Sequence, residues 1–290
     1  MKKALLWTLG ILLLLASLSL VGYPFISNYL NSLNLSSEVM SYLNVAEDLS
    51  DAEYSEILDA AKKYNESLIG NVQIGIPFTK DENSSDEYDK LLSIDGSDVI
   101  ASIEIPTISV NLPIYHGTSE DVLQKGVGHL PNSSLPIGGK GTHAVLTGHT
   151  GLSSQKLFSD ISSLSIGDMF FIHILGDTLA YRIDEINTVL PSETDKLQIH
   201  PEEDHITLVT CTPFGVNSHR LLIRGTRTPY DEIKDEAPII NPEASTWNSQ
   251  YVRAIIRGAL VMAVILIVFL LIKIILYRYR KRKNDGKKDT

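Results

Sequence analysis

The residues best suited to covalent chemistry lie around position 211. Cys211 is the single cysteine of the chain, so it has no partner for an internal disulfide. It closes the run Ile206-Thr207-Leu208-Val209-Thr210-Cys211, a strand pattern that Thr212-Pro213-Phe214-Gly215 breaks. A thiol placed there is displayed at a strand end beside a loop, where catalytic groups are commonly held. A lone cysteine is equally often an inert core residue. The chain returns as His219-Arg220-Leu221-Leu222-Ile223-Arg224. If the two runs pair as an antiparallel hairpin, Arg220 stands across from Cys211, and Arg224 lies about 13 Å further along. An arginine beside a thiol favours the thiolate and can hold a developing oxyanion. A surface ion pair is the plainer role for either arginine in so acidic a segment.

A cysteine nucleophile also needs a proton donor for its leaving group, and histidine is the usual one. The chain has His116, His129, His143, His149, His173, His200, His205 and His219. His149 follows the run His143–Leu146 within Thr147-Gly148-His149-Thr150-Gly151, where flanking glycines permit a tight, exposed turn. His143, inside that run, reads as a satisfied barrel histidine, and His219 points to the face opposite Arg220. Other templates fail. There is no G-x-S-x-G elbow and no H-E-x-x-H helix, and Gly138-Gly139-Lys140-Gly141-Thr142 has glycine where a P-loop needs Ser or Thr. One cysteine also excludes a zinc site of several thiolates, and no cofactor signature is present.

The elements that would position these groups are mostly strands. Over residues 98–227 short apolar runs alternate with Gly, Pro and Asn turns: VIASIEIP, ISVNLPIY, THAVLTG, DMFFIHIL, LAYRIDEINTVLP, HITLVTC and HRLLIRG. Seven short strands with one modest helical candidate near 153–164 predict a β-barrel or sandwich. Upstream, residues 25–80 form a helical stem, in which Ser50-Asp51-Ala52-Glu53 fits a capping box ahead of an amphipathic run. Residues 81–97 are a polar loop, and 228–252 an acidic, proline-bearing linker.

Both ends of the chain are apolar and basic. Ala4–Val21 is an uncharged run of 18 residues behind Lys2 and Lys3, about 27 Å as a helix. Residues 1–24 are expected to be a retained anchor, with a cleaved signal peptide as the alternative. Gly258–Leu276 is interrupted only by Lys273 and is followed by Tyr277-Arg278-Tyr279-Arg280-Lys281-Arg282-Lys283. That flank predicts a transmembrane helix over 253–277 with a cytoplasmic tail, 278–290. The formal charge of −10 argues against general nucleic-acid binding. Residues 251–290 hold ten basic side chains, leaving 13 basic and 33 acidic between residues 28 and 250. An acidic centre between basic ends fits a chain embedded in membrane lipid, with both termini inside and the centre outside.

Taken together, Thr207-Leu208-Val209-Thr210-Cys211 is similar to the T-L-x-T-C signature of sortases, and Thr147-Gly148-His149 resembles their T-G-H motif. The strand bearing Arg220 resembles the one that carries their arginine, and the likeness runs over about residues 86–227. IEIPTISVNLPIYHGTSEDVLQKGVGHLPNSSLPIGGKGTHAVLTGHTGL, TCTPFGVNSHRLLIRG and the second span resemble class C, the pilus-assembling sortases of Gram-positive cells. The resemblance implies a mainly β fold, an eight-stranded barrel with short helices. It implies Cys211 as nucleophile, His149 as general acid/base and Arg220 as oxyanion or substrate stabiliser, without metal or cofactor. The implied partners are pilin subunits with L-P-x-T-G-like sorting signals and the acceptor lysine of another pilin.

Class C sortases often carry an Asp-Pro-aromatic lid over the cysteine. The aligned residues are Asp86-Glu87-Tyr88, without the proline, so Asp86 is expected near Arg220 and Tyr88 over Cys211. A polar solvated loop is the alternative for these two. A cell-wall-anchoring sortase with a peptidoglycan amine acceptor, and a membrane-tethered binding domain with an inert Cys211, are the rival functions.

Overall fold

A computed structural model describes residues 2–70, 86–94, 97–150, 152, 155–230 and 260. Two helices precede the barrel. Helix α1 (Lys2–Glu47) runs unbroken for 46 residues with Pro24 inside it, so the division expected at residue 24 is not a break in the backbone. Its last third buries Val39, Tyr42 and Ala46. The Tyr42 hydroxyl donates to Ile100 O (2.9 Å) and accepts from Leu175 N (3.0 Å), and burial pushes this phenol up to about 12. Helix α2 (Asp51–Leu68) starts at the predicted capping box: Ser50 Oγ accepts from Glu53 N, and the Glu53 carboxylate accepts from Ser50 N. Near its end, buried Asn65 donates to Leu135 O (3.1 Å) and accepts from Leu135 N (2.7 Å). The amide thus pairs with one barrel residue as a neighbouring strand would.

Eight strands close the barrel: β1 (Val99–Ile105), β2 (Val110–His116), β3 (Val127–His129), β4 (Thr142–Thr147), β5 (Met169–Ile174), β6 (Asp177–Val189), β7 (Asp204–Thr212) and β8 (His219–Thr228). The order around it is β1-β2-β3-β4-β7-β8-β6-β5. This is the eight-stranded barrel that the resemblance implied. Seven strands follow from the apolar runs; the eighth, β3, is three residues long and too short to show a periodicity. The helical candidate near 153–164 is only a 3₁₀ turn at Ile161–Ser163 among its described residues, and the barrel's helix is α3 (Glu120–Lys125), capped by Ser119.

Strands β4 and β7 are parallel, from Thr142↔Asp204 to Thr147↔Val209. Parallel strands are usually covered on both faces, and these are. Ile206 and Leu208 join the main core inside the barrel. Val145 and Val209 pack outside it with Leu130, Leu222 and Leu197, the last contributed by the segment that crosses from β6 to β7. Strand directions put the ends of β1, β4, β6 and β7 and the starts of β2, β5 and β8 at one end of the barrel. The β5–β6 turn and the starts of β4 and β7 lie at the other.

Among the described residues no helix is long and apolar enough to cross a membrane. Many side chains of Ala4–Val21, and residues 231–290 apart from Leu260, lie outside them, as do residues 71–85 of the stem and loop. The linker, the second span and the basic tail expected over 228–290 therefore also lie outside, beyond Tyr230.

Replacing Tyr42 by Phe should leave the Ile100 carbonyl and the Leu175 amide buried without their partner. We expect a loss of about 1–3 kcal/mol, read as a lower urea midpoint at an unchanged slope.

Candidate active site

The β7–β8 hairpin forms in the register that brings thiol and guanidinium together: Cys211 pairs with Arg220, and Thr212 with His219. The connecting loop is tightly turned, with Val216 N and Asn217 N both donating to Pro213 O at 3.0 Å. Asn217 takes the left-handed conformation (φ 59°) that asparagine tolerates better than most residues. Arg220 Nη1 donates to Asn217 O (3.3 Å) and His219 O (3.1 Å), which holds the guanidinium against the loop beside the thiol. Cys211 is partly buried. Burial pushes the thiol up from its ordinary range, and the charge of Arg220 opposes that shift.

His149 reaches the same place through β4. Beyond Thr147 the parallel pairing carries on, with Gly148 N donating to Val209 O (3.0 Å) and Thr210 Oγ1 donating to Gly148 O (2.7 Å). The residue before Cys211 thus binds the residue before His149. Phe158, fully buried, donates its amide to His149 O (3.1 Å) and lies so close that a Cβ on Gly148 would stand 2.6 Å from its ring. Glycine is needed at 148 for close approach, while the motif alone suggested an exposed turn. The imidazole is largely covered, and its Nε2 lies 3.4 Å from Glu120 Oε1 at the first turn of α3. Glu120 has no signal in the sequence near His149, because it reaches the ring only through the fold.

The other candidates separate by environment. Arg224 is held by two carboxylates, at 2.8 Å from Asp184 and 2.9 Å from Glu185, as the ion-pair reading expected. His143 is the satisfied barrel histidine: its Nδ1 donates to Gln198 O (2.9 Å), and its Nε2 accepts from Thr207 Oγ1 (2.7 Å). Burial pushes it down to about 4. His129, fully enclosed, is pushed down to about 3 for the same reason. Its Nε2 donates to Ser134 O (2.8 Å), so its Nδ1 accepts from the Tyr88 hydroxyl (2.7 Å). Among the described residues no cluster of three or more His, Cys, Asp or Glu side chains offers a metal site.

Tyr88 requires a correction. The ring is 4% exposed. It packs edge-on to His116 at 4.8 Å and against Tyr64 at 5.9 Å, and its hydroxyl also accepts from Gly117 N. These contacts make Tyr88 part of the barrel wall, not a movable cover on Cys211. Asp86 is exposed two residues earlier, where it fits the solvated-loop alternative.

A family model described as Sortase domain matches residues 103–228. Sortase D of Bacillus subtilis (strain 168) is 31% identical over 151 residues, covering 50% of this chain and 73% of that protein. Sortase A of Bacillus anthracis is 32% identical over 133 residues, or 46% of this chain and 61% of its own length. Sortase A of Streptococcus agalactiae serotype III (strain NEM316) is 32% identical over 117 residues, 39% of this chain and 47% of its length. The chain therefore spans less than two thirds of these two Sortase A relatives. With the barrel, the motifs and these matches in place, the chain belongs to the sortase family. Solved structures that it resembles include several described as sortases C. Sortase C-1 from Streptococcus pneumoniae is 41% identical with a TM-score of 0.63, covering 67% of this chain and 99% of that one. Sortase C1 from Streptococcus agalactiae is 44% identical with a TM-score of 0.60, covering 66% and 97%. A third is described as a pilus-related sortase C of Group B Streptococcus, 40% identical with a TM-score of 0.62, covering 67% and 98%.

Two predictions follow from these environments. Arg220→Ala should lower turnover by on the order of 10²–10³ and raise the thiol pKa further, seen as an iodoacetamide pH profile displaced upward. Arg224→Ala should leave that profile in place and lower stability by on the order of 1 kcal/mol. Second, the histidines held neutral at 129 and 143 contribute stability above the unfolded pKa of about 6.5. That contribution is lost as pH falls from there toward the folded values. Urea unfolding should weaken between about pH 6.5 and 5, by up to about 1.4 kcal/mol per unit for each histidine, and His143→Gln should flatten the slope.

Proposed function

We propose that the protein is a membrane-anchored class C sortase that joins pilin subunits through a thioacyl intermediate. The observation that carries this reading is the cross-strand pair Cys211–Arg220, together with the hydrogen bonds that tie the His149 turn to the strand ending in Cys211. Burial favours the neutral thiol at rest, so nucleophilic attack requires its proton to move, and His149 is the base that receives it. The thiolate adds to the threonine carbonyl of an L-P-x-T-G-like signal. Arg220 stabilises the oxyanion, and the carbon–nitrogen bond to glycine breaks as His149 protonates the departing amine.

The thioester then awaits a second amine. A lysine of another pilin attacks it, loses its proton to His149 and leaves an isopeptide bond, with the thiol restored. The likeness to pilus-related sortases C favours a lysine acceptor over a peptidoglycan amine. The apolar, basic-flanked ends support an anchor in the cell membrane with the barrel on the outer side.

The test is incubation of the full chain with pilins bearing such signals. The wild type should give a ladder on a denaturing gel and a hydroxylamine-sensitive adduct. Cys211→Ala should abolish both while the circular dichroism spectrum stays the same. Polymer formed by the purified variant would overturn the assignment.

A further inference from the structure

The orientation of α1 on the barrel shows which end of the barrel faces the anchor. Asn28 Oδ1 accepts from Lys156 N (2.9 Å), and Lys156 Nζ donates to Ile108 O (3.2 Å). Both partners lie at the barrel end where β1, β4, β6 and β7 finish. Higher on the helix, Tyr42 binds Ile100 and Leu175, and Ala46 O is the neighbour of Gly176 at the β5–β6 turn. The 18 residues from Asn28 to Ala46 rise about 27 Å, so α1 climbs the wall from one end to the other. Its amino-terminal part therefore projects beyond the end that carries Cys211 and Arg220. Only six residues, about 10 Å of helix, separate Asn28 from the last residue of the apolar run Ala4–Val21.

The same end carries an apolar rim. The most exposed large apolar side chains of the barrel are Val216 (69%), Ile166 (68%), Phe214 (50%) and Leu190 (48%). Phe214 and Val216 stand on the β7–β8 loop and Leu190 directly follows β6, both at this end, whereas Ile166 lies apart, beside Arg182, Thr226 and Thr228. Beneath the rim, α1 itself exposes Tyr23 and Ile26, and no residue from Ala4 to Ser37 carries a charge. Exposed apolar tips at the end from which an apolar helix emerges are a surface for a bilayer, with aromatic and aliphatic groups at headgroup depth.

We propose that this end of the barrel docks on the membrane, with Phe214, Val216 and Leu190 seated in the lipid interface. Cys211 then opens just above the lipid surface, and the polypeptide it takes is presented from the membrane. The inference rests on the anchor assigned under the proposed function, because that anchor brings the rim to the bilayer. The occupant is lipid because α1 carries the uncharged run Ala4–Val21 out beyond this same end of the barrel. Sheet edges and basic grooves, which would favour a peptide or an anionic polymer, are not what these three tips offer.

The experiment uses the full chain with Cys211→Ala, reconstituted into phosphatidylcholine–phosphatidylglycerol vesicles. A single new cysteine, Val216→Cys at the rim or Lys140→Cys at the far end, carries a nitrobenzoxadiazole dye. Flotation reports the anchor, and quenching by nitroxide-labelled lipid reports the depth of the dye. We expect the chain to float, with a several-fold greater loss of emission at 216 than at 140. Equal quenching at the two sites in a floating chain overturns the docking and leaves the anchor intact. A chain left in the aqueous fraction overturns the anchor and the docking with it. A dye at 216 that becomes shielded from iodide only as protein concentration rises, without nitroxide quenching, assigns the rim to a second copy and also overturns the proposal.

Discussion

The parallel pairing of β4 with β7 is the constraint on which the site depends. It continues past the last paired residue of β4, as Gly148 N binds Val209 O and Thr210 Oγ1 binds Gly148 O. Two segments more than sixty residues apart in sequence are thereby fixed one residue from Cys211 and one residue from His149, the proposed nucleophile and acid/base. A pair covered on both faces has little freedom to slip, because a one-residue shift would turn every buried side chain of β7 to the wrong side. Precision at the reacting atoms comes from this covered pair, while the loops beyond it supply access.

Around that pair the barrel sorts residues of the same type into different roles. Arg220 and Arg224 stand four residues apart on β8, so both point to the same face. Arg224 meets Asp184 and Glu185 and is consumed by a bidentate ion pair. Arg220 contacts backbone carbonyls and sets its charge against the thiol. Histidines divide in the same way. His129 and His143 are enclosed, hydrogen-bonded at both ring nitrogens and held neutral, whereas the partly covered His149 ring sits beside the Glu120 carboxylate.

The amino-terminal helices are integral to the barrel. Tyr42, Asn65 and Tyr64 satisfy backbone groups of barrel segments at Ile100, Leu175, Leu135 and Asn132. A buried polar contact of this kind permits one docking geometry, since any displacement leaves donors without partners. The stem thus has one fixed orientation on the barrel.

Much of this was legible in the residues themselves. Alternating apolar runs with turn residues reveal seven strands, because strand periodicity is local; β3, at three residues, has no period to read. Ser50 and Glu53 announce the start of α2, since a capping box closes within four residues. The hairpin register that joins Cys211 to Arg220 also follows from short-range pairing. What depends on contacts distant in sequence was decided by the tertiary structure alone. Glu120 finds His149 only when α3 packs beside β4. Phe158 makes glycine at 148 a matter of space. Tyr88, which a motif alignment placed over the thiol, is instead drawn into the wall by His129, His116 and Tyr64. Local patterns determine which elements form, and the burial of one element against another determines where each side chain finally stands.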